Sequence, residues 1–245
     1  MVILLALVSG CSKQKTRENM NAKELTAHAI ELNKKKKYED AIAYLEELVR
    51  RFPDHANLAS HKILLAEMYF KNKQYGASQE VFEHYNQFYP SDKQAEYSKY
   101  KSLLSMHYQT LSHDCDQTAT EETIRLCDEY LNNSTYNQYR KDVQDLKRTC
   151  QNKLIDKEVY VFNFYTKHEN YDAAHKRLAY LKEKYLGTNP GLEARLLYLE
   201  CKLAQREKKK DRVKENLDIL FKKYPESQFT QMAHAMTSPT PFVAF

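Results

Sequence analysis

"YEDAIAYLEELVRRFPDH" (38–55) places small or apolar side chains at Ala41, Leu45, Leu48 and Phe52. Counted from Tyr38, the offsets 3, 7, 10 and 14 keep one stripe of a 3.6-residue helix facing inward. The scheme returns in "YGASQEVFEHYNQFYPSD" (75–92), "YDAAHKRLAYLKEKYLGT" (171–188) and "KDRVKENLDILFKKYPES" (210–227), and more weakly in "TEETIRLCDEYLNNST" (120–135). Its first position holds Ala41, Ser78, Thr123, Ala174 or Val213, small enough for a neighbouring helix to approach closely. The next two hold Leu45, Phe82, Cys127, Leu178 or Leu217, then Leu48, Tyr85, Tyr130, Leu181 or Leu220. Phe52-Pro53, Tyr89-Pro90 and Tyr224-Pro225 then stop the helix, because proline cannot continue it.

Between these stretches, partner helices are predicted over about 22–34, 56–72, 94–112, 137–168 and 191–207. Helix pairs recurring at just over thirty residues resemble tetratricopeptide repeats. Successive copies begin 37, 45, 51 and 39 residues apart, so the units are lengthened, mostly in the middle. Four Gly and six Pro in 245 residues are too few for the turns of a β-sandwich or barrel. The expected fold is therefore all-α: an α-solenoid of about five lengthened helix pairs. Repeats 1–3 fall in 21–135 and repeats 4–5 in 136–230, with a disordered tail over 231–245. Such arrays curve, and their concave face binds extended peptides or partner domains.

Upstream, "LLALVSGC" (4–11) ends at the first cysteine and runs into the polar "SKQKTREN". Residues 2–8 are too few to span a bilayer, which takes about 20 apolar residues in a helix. A short apolar core followed by small residues reads as a processing signal over 1–10. "LVSGC" resembles a bacterial lipobox, with Cys11 the residue that carries diacylglycerol and an N-acyl chain, and 11–20 a lipidated tether. The usual basic start is missing, so either the signal begins upstream or it departs from the common form. Two or more acyl chains hold a protein stably at a membrane. Ser12 in place of Asp resembles lipoproteins sent on to the outer membrane.

The charge balance excludes other classes. The 38 basic residues are interleaved with 33 acidic ones, for a net charge of +5, which marks a solvated surface and not a nucleic-acid stripe. "HDCD" (113–116) has no second ligand cluster at metal spacing and reads as a solvated loop. No Ser-His-Asp elbow and no glycine-rich phosphate loop occur, so the chain reads as a non-enzyme without metal or soluble cofactor. Cys127 sits on the core stripe; for Cys115, Cys150 and Cys201 a disulfide stays open. The Lys34–Lys37 and Lys208–Lys210 runs read as helix C-termini offsetting the helix dipole. Tyr38 and Tyr75 are expected to pack within the array.

A signal of this kind ahead of five lengthened repeats resembles the BamD family, lipoproteins of the bacterial β-barrel assembly machine. "LIDKEVYVFNFYTKHENYDAAHKR" (154–177) resembles the family's "LAxHExxVAxFYxKRxxYxAAxxR", matching at Glu158, Phe164, Tyr165, Lys167, Tyr171, Ala173, Ala174 and Arg177. "DQT" (116–118) and "YNQYRKD" (136–142) add weaker support, the latter resembling "YPxSxYxxDA" with its YP lost. The resemblance implies a scaffold on the periplasmic face of the outer membrane. Its implied partners are the periplasmic domains of the insertase BamA, unfolded outer-membrane proteins and other assembly lipoproteins. It also implies partner contacts at Arg177, Glu158 and Lys167. Arg177 would pair with a partner carboxylate or with a Glu on a neighbouring helix. Two rivals share parts of the pattern: another tetratricopeptide-type envelope lipoprotein, and a cytosolic peptide-binding chaperone adaptor.

Overall fold

The structure, a computed structural model, describes residues 16–187, 189 and 191–237. Cys11, the 1–10 signal and the end of the tail lie outside the described residues. Among those described, a short 3-10 turn (Arg17–Asn19) precedes eleven α-helices and no strand. They are α1 Ala22–Lys34, α2 Tyr38–Arg51, α3 Leu58–Lys71, α4 Tyr75–Phe88, α5 Ala95–His107 and α6 Thr118–Asn132. These are followed by α7 Arg140–Lys167, α8 Tyr171–Tyr185, α9 Leu192–Arg206, α10 Lys210–Lys223 and α11 Gln228–Thr237. The fold is all-α, built from the helix pairs of an α-solenoid.

Four of the connections are the same object. After α1, α3, α7 and α9 the chain turns through three residues whose middle member has positive φ: Lys36 (58°), Lys73 (61°), Glu169 (58°) and Lys208 (60°). In each, the next N–H reaches back five residues and the middle N–H three, as in Lys37 N–H to Leu32 C=O (2.9 Å) and Lys36 N–H to Asn33 C=O (3.0 Å). This is the Schellman arrangement, which satisfies the last helical carbonyls and reverses the chain. Glycine usually fills its left-handed position, yet here Lys or Glu does. The lysine runs seen in the sequence therefore end a helix and make the turn after it.

The other helix ends follow the Phe/Tyr-Pro signal. Phe52, Tyr89 and Tyr224 cap α2, α4 and α10 with nearly identical backbones, φ between −124° and −132° and ψ between 51° and 58°. Each has left the α region because the proline ring that follows excludes it.

The chain divides into two compact units, one running to Gln109 and including Ser134–Tyr139, the other holding Thr110–Asn133 and everything from Arg140. In the first unit α1 to α5 pack in succession, each on the next. Ala41, Leu45, Leu48, Ser78, Phe82 and Tyr85 of the repeat stripe are all buried. The small stripe residue works as expected: the buried Ser78 hydroxyl donates to the Ala66 carbonyl of α3 at 3.0 Å. On α5, Ser98 donates likewise to Phe82 C=O of α4 at 2.9 Å. Tyr75 stacks on Tyr108 (centroids 4.9 Å) and Tyr38 lies against the core formed by Ala29, Ala41, Leu45 and Met68, so both pack within the unit.

In the second unit α6 packs on α7, α7 on α8, α8 on α9 and α9 on α10, while α11 lies against α9 and α10. Thr123, Cys127, Tyr130, Ala174, Leu178, Leu181, Leu217 and Leu220 are buried, whereas Val213 is half-buried. Helices α1 to α6 lie within the 21–135 expected for repeats 1–3 and α7 to α10 within the 136–230 expected for repeats 4–5, while α5 belongs to the first compact unit and α6 to the second. Two expectations need revision. The helix predicted from 137 starts at Arg140, because Tyr139 instead stacks on Tyr100 of the first unit, centroids 4.6 Å apart and planes 4° from parallel. The tail expected to be disordered from 231 is helical to Thr237, where burial of Ala233 against the α9–α10 core holds it.

Candidate protein-docking site

The segment that carries the sequence resemblance is the second half of α7 together with α8. Helix α7 runs for 28 residues, and its buried side is Ile155, Val159, Phe162 and Thr166. Its flanks are tied down by polar contacts. Asp156 accepts from Arg195 of α9 at 2.6 Å, Asn163 accepts from Lys202 of α9 at 2.9 Å, and Glu158 accepts from Arg177 of α8 at 3.2 Å.

Arg177 and Glu158, both singled out from sequence, thus meet each other through one guanidinium nitrogen. Between a partner carboxylate and a neighbouring-helix Glu, the folded chain supplies the second. The Arg177 side chain is nevertheless 39% exposed, so the pair sits at the surface of the α7–α8 hairpin. Lys167 is elsewhere. It is exposed at the last turn of α7, where a cation suits the helix dipole, and is not part of the Arg177–Glu158 pair.

Lys167 belongs to an outward stripe that the sequence reading missed. Lys153, Lys157, Tyr160, Phe164, Lys167 and His168 follow at helical spacings of three and four, on the side opposite the core. Tyr160 is 54% exposed and Phe164 52%, an unusual placement for two large rings one turn apart. Phe164 and His168 meet as tilted rings (4.4 Å between centroids), and His113 meets the edge of Tyr160 at 5.9 Å. Leu111, itself 54% exposed, precedes His113 in the same loop. No carboxylate interrupts the stripe, because Asp156 and Glu158 are turned to Arg195 and Arg177. The "HDCD" segment is exposed loop beside it, as read from sequence. There the Thr118 N–H and hydroxyl, helped by Lys157, hold Asp116 below the usual carboxylate range.

The spacing of Tyr160, Phe164 and His168 was visible in the sequence. It was hidden because α7 also carries a buried stripe, and two apolar faces on one helix blur the amphipathic signal.

A charged cavity of about 340 Å³ lies between α8, α9 and α10, lined by His175, Lys182, Glu200, Glu207, Arg212 and Glu215 among others. Its charges largely answer one another. Lys182 pairs with Glu200, and His175 with Glu207 at 3.1 Å. Burial opposes ionisation of Glu207, but hydrogen bonds from Lys209 and His175 outweigh it and hold the carboxyl below its ordinary range.

Residues 18–212 match the YfiO family model, described as outer membrane lipoprotein. The chain belongs to the YfiO family. The match takes in α1 to α9, including the α7 stripe, Arg177 and Glu158. BamD is a member of the same family, so the sequence resemblance holds at the level of the family. Among solved structures the YfiO-family chain is similar to YrrB, a TPR protein with an unusual peptide-binding site. The identity is 13%, over 88% of this chain and 92% of that one, with a TM-score of 0.39. It is also similar to PilW, a widely conserved type IV pilus biogenesis factor. There the identity is 19%, over 87% and 98% of the two chains, with a TM-score of 0.37.

Proposed function

We propose that this YfiO-family lipoprotein is a periplasm-facing scaffold of the β-barrel assembly machinery that docks a BamA-type insertase and assists insertion of outer-membrane proteins. The observation that carries the docking half is the exposed aromatic-lysine stripe of α7, inside the segment that matches the BamD family pattern. Two rings at the surface, ringed by lysines, suit a partner that offers an apolar socket edged with carboxylates. Arg177 extends the same surface on α8. It can exchange its single bond to Glu158 for a two-pronged bond to a partner carboxylate.

In this reading Cys11 carries the diacylglycerol and N-acyl chains, and the anchor raises the local concentration of the scaffold near the insertase. Unfolded outer-membrane proteins and accessory assembly lipoproteins are the other partners, and no cofactor beyond the lipid is required.

The test is pulldown of the insertase's periplasmic domains. Phe164→Ala combined with Tyr160→Ala, and separately Arg177→Glu, should each reduce recovery at least about tenfold, the scale of an interface anchor worth over 1 kcal/mol, with helical signal retained. Undiminished recovery with both variants would remove this face from the interface.

A further inference from the structure

The chain's net charge is not spread along it. Residues 202–214, "KLAQREKKKDRVK", hold seven basic and two acidic residues. Their surplus equals the +5 of the entire chain, so all the other residues balance out. The stretch comprises the end of α9, the turn after it and the start of α10. Arg206, Lys208, Lys210, Arg212 and Lys214 are all exposed, and among the described residues none of the five is in an ion pair. Lys209 differs, being held by Glu207 at 2.8 Å.

Folding accounts for part of this charge. Lys208, just past α9, suits the negative end of that helix's dipole. It does so with φ at 60°, where Gly or Asn is less strained. Lys209 and Lys210 run against the fold. They stand at the N-cap and first position of α10, the positive end of its dipole, and the Lys209 side chain makes no capping bond. In the matching turn before α8 the same place holds Asn170, whose side chain accepts from the Ala173 N–H at 3.2 Å. The local fold would be served better by other residues here.

Beside these lysines lies a groove of about 360 Å³, lined by Ala204, Gln205, Lys208, Lys209, Lys210 and half-buried Val213. Its lining is mostly apolar although half of these residues are lysines. The lysines therefore contribute their methylene stems to it, beside Ala204 and Val213.

The matching ligand is anionic at one end and apolar at the other. A free phosphate or an acidic polypeptide would answer the charge without calling for an apolar groove. An anionic phospholipid uses both, its phosphate meeting the ammonium groups and its glycerol and first methylenes meeting the groove. Lysine suits such a partner, since a compact charge on a flexible stem can follow several headgroups in one plane. The YfiO family is described as outer membrane lipoprotein, which keeps a lipid surface within reach. From this juxtaposition we infer that residues 202–214 are a contact for the anionic headgroups of a lipid surface, with the groove taking the glycerol end of one lipid. The inference concerns the α9–α10 turn and not the α7 face, and it needs neither the insertase nor an acyl chain on Cys11.

The experiment is flotation of the full chain carrying Cys11→Ser with phosphatidylcholine vesicles, prepared with and without phosphatidylglycerol. Phosphatidylglycerol should strengthen binding about a hundredfold or more, because each cation near an anionic surface contributes about 1 kcal/mol. Lys208→Asn combined with Lys210→Gln should weaken binding to the anionic vesicles about thirtyfold, the worth of two such cations. Asn adopts the left-handed backbone readily and Gln removes an adverse charge, so this variant keeps its fold. The matched control, Lys36→Asn with Lys34→Gln, removes the same charge at the α1–α2 turn and should change binding less than about twofold. Equal binding to the two kinds of vesicle, or an equal loss in the control, would overturn the inference. So would displacement of the bound protein by poly-glutamate matched to the vesicles in charge, which would assign the patch to an acidic polypeptide.

Discussion

Lys36, Lys73, Glu169 and Lys208 each hold a left-handed backbone that side chains with a Cβ adopt at a cost. Lys73→Gly should therefore stabilise the protein by about 1 kcal/mol, whereas Lys73→Val, branched at Cβ, should destabilise it, both read from urea midpoints. The scarcity of glycine told correctly of helices but concealed these tight turns, since nothing in a lysine run announces positive φ. Cysteine chemistry is a second matter at this scale. Burial pushes the thiol of Cys127 up to about 12 and those of Cys150 and Cys201 up to about 11. Cys115 is exposed. In protein carrying Cys11→Ser, a maleimide at pH 7.5 should modify Cys115 and leave the other three untouched until denaturant is added, as peptide mass mapping would show. The core reading of Cys127 was legible because it shares its register with Leu45 and Phe82; the burial of Cys150 and Cys201, off that register, was not.

The helix pair is the element in which sequence and structure agree most closely. Offsets of 3, 7, 10 and 14 placed nearly every buried residue of the second helices, because a repeated stripe leaves one way to bury it. Ser78 is fully buried against the backbone of α3, to which its hydroxyl donates. Ser78→Leu should cost about 1–3 kcal/mol by overpacking, measured by thermal unfolding. The two compact units divide within the expected third pair, where α6 lacks the aromatic-proline stop and is capped by Asn133 with an extended backbone. Nothing local then marks where one unit gives way to the other. Within the last pair the two helices are joined electrostatically. Lys223 at 2.8 Å and the Tyr224 hydroxyl hold Glu193 at the start of α9 below the ordinary carboxyl value of 4.5. A depressed carboxyl contributes stability above its unfolded pKa and loses it as pH falls through the folded one. Glu193→Gln should lower Tm at pH 7, and its difference from wild type should close as pH drops below about 4.5.

For the whole molecule, family membership and helix-pair architecture point to holding other polypeptides at an envelope surface. The family was legible because its pattern falls on α7 and α8, which fix several side chains at once. The candidate docking face was only half legible. Arg177 and Glu158 were found by resemblance, and the structure joins them; the stripe containing Lys167 needed the fold to show which side of α7 faces out. The scaffold reading is tested most directly by a photo-crosslinking residue placed at Phe164 in intact envelopes, followed by denaturing recovery of the adduct. The account predicts a dominant adduct with a large barrel protein bearing tandem periplasmic domains, lost when Tyr160→Ala and Arg177→Glu are added. A lipid-anchored protein that crosslinks to no such barrel would contradict it.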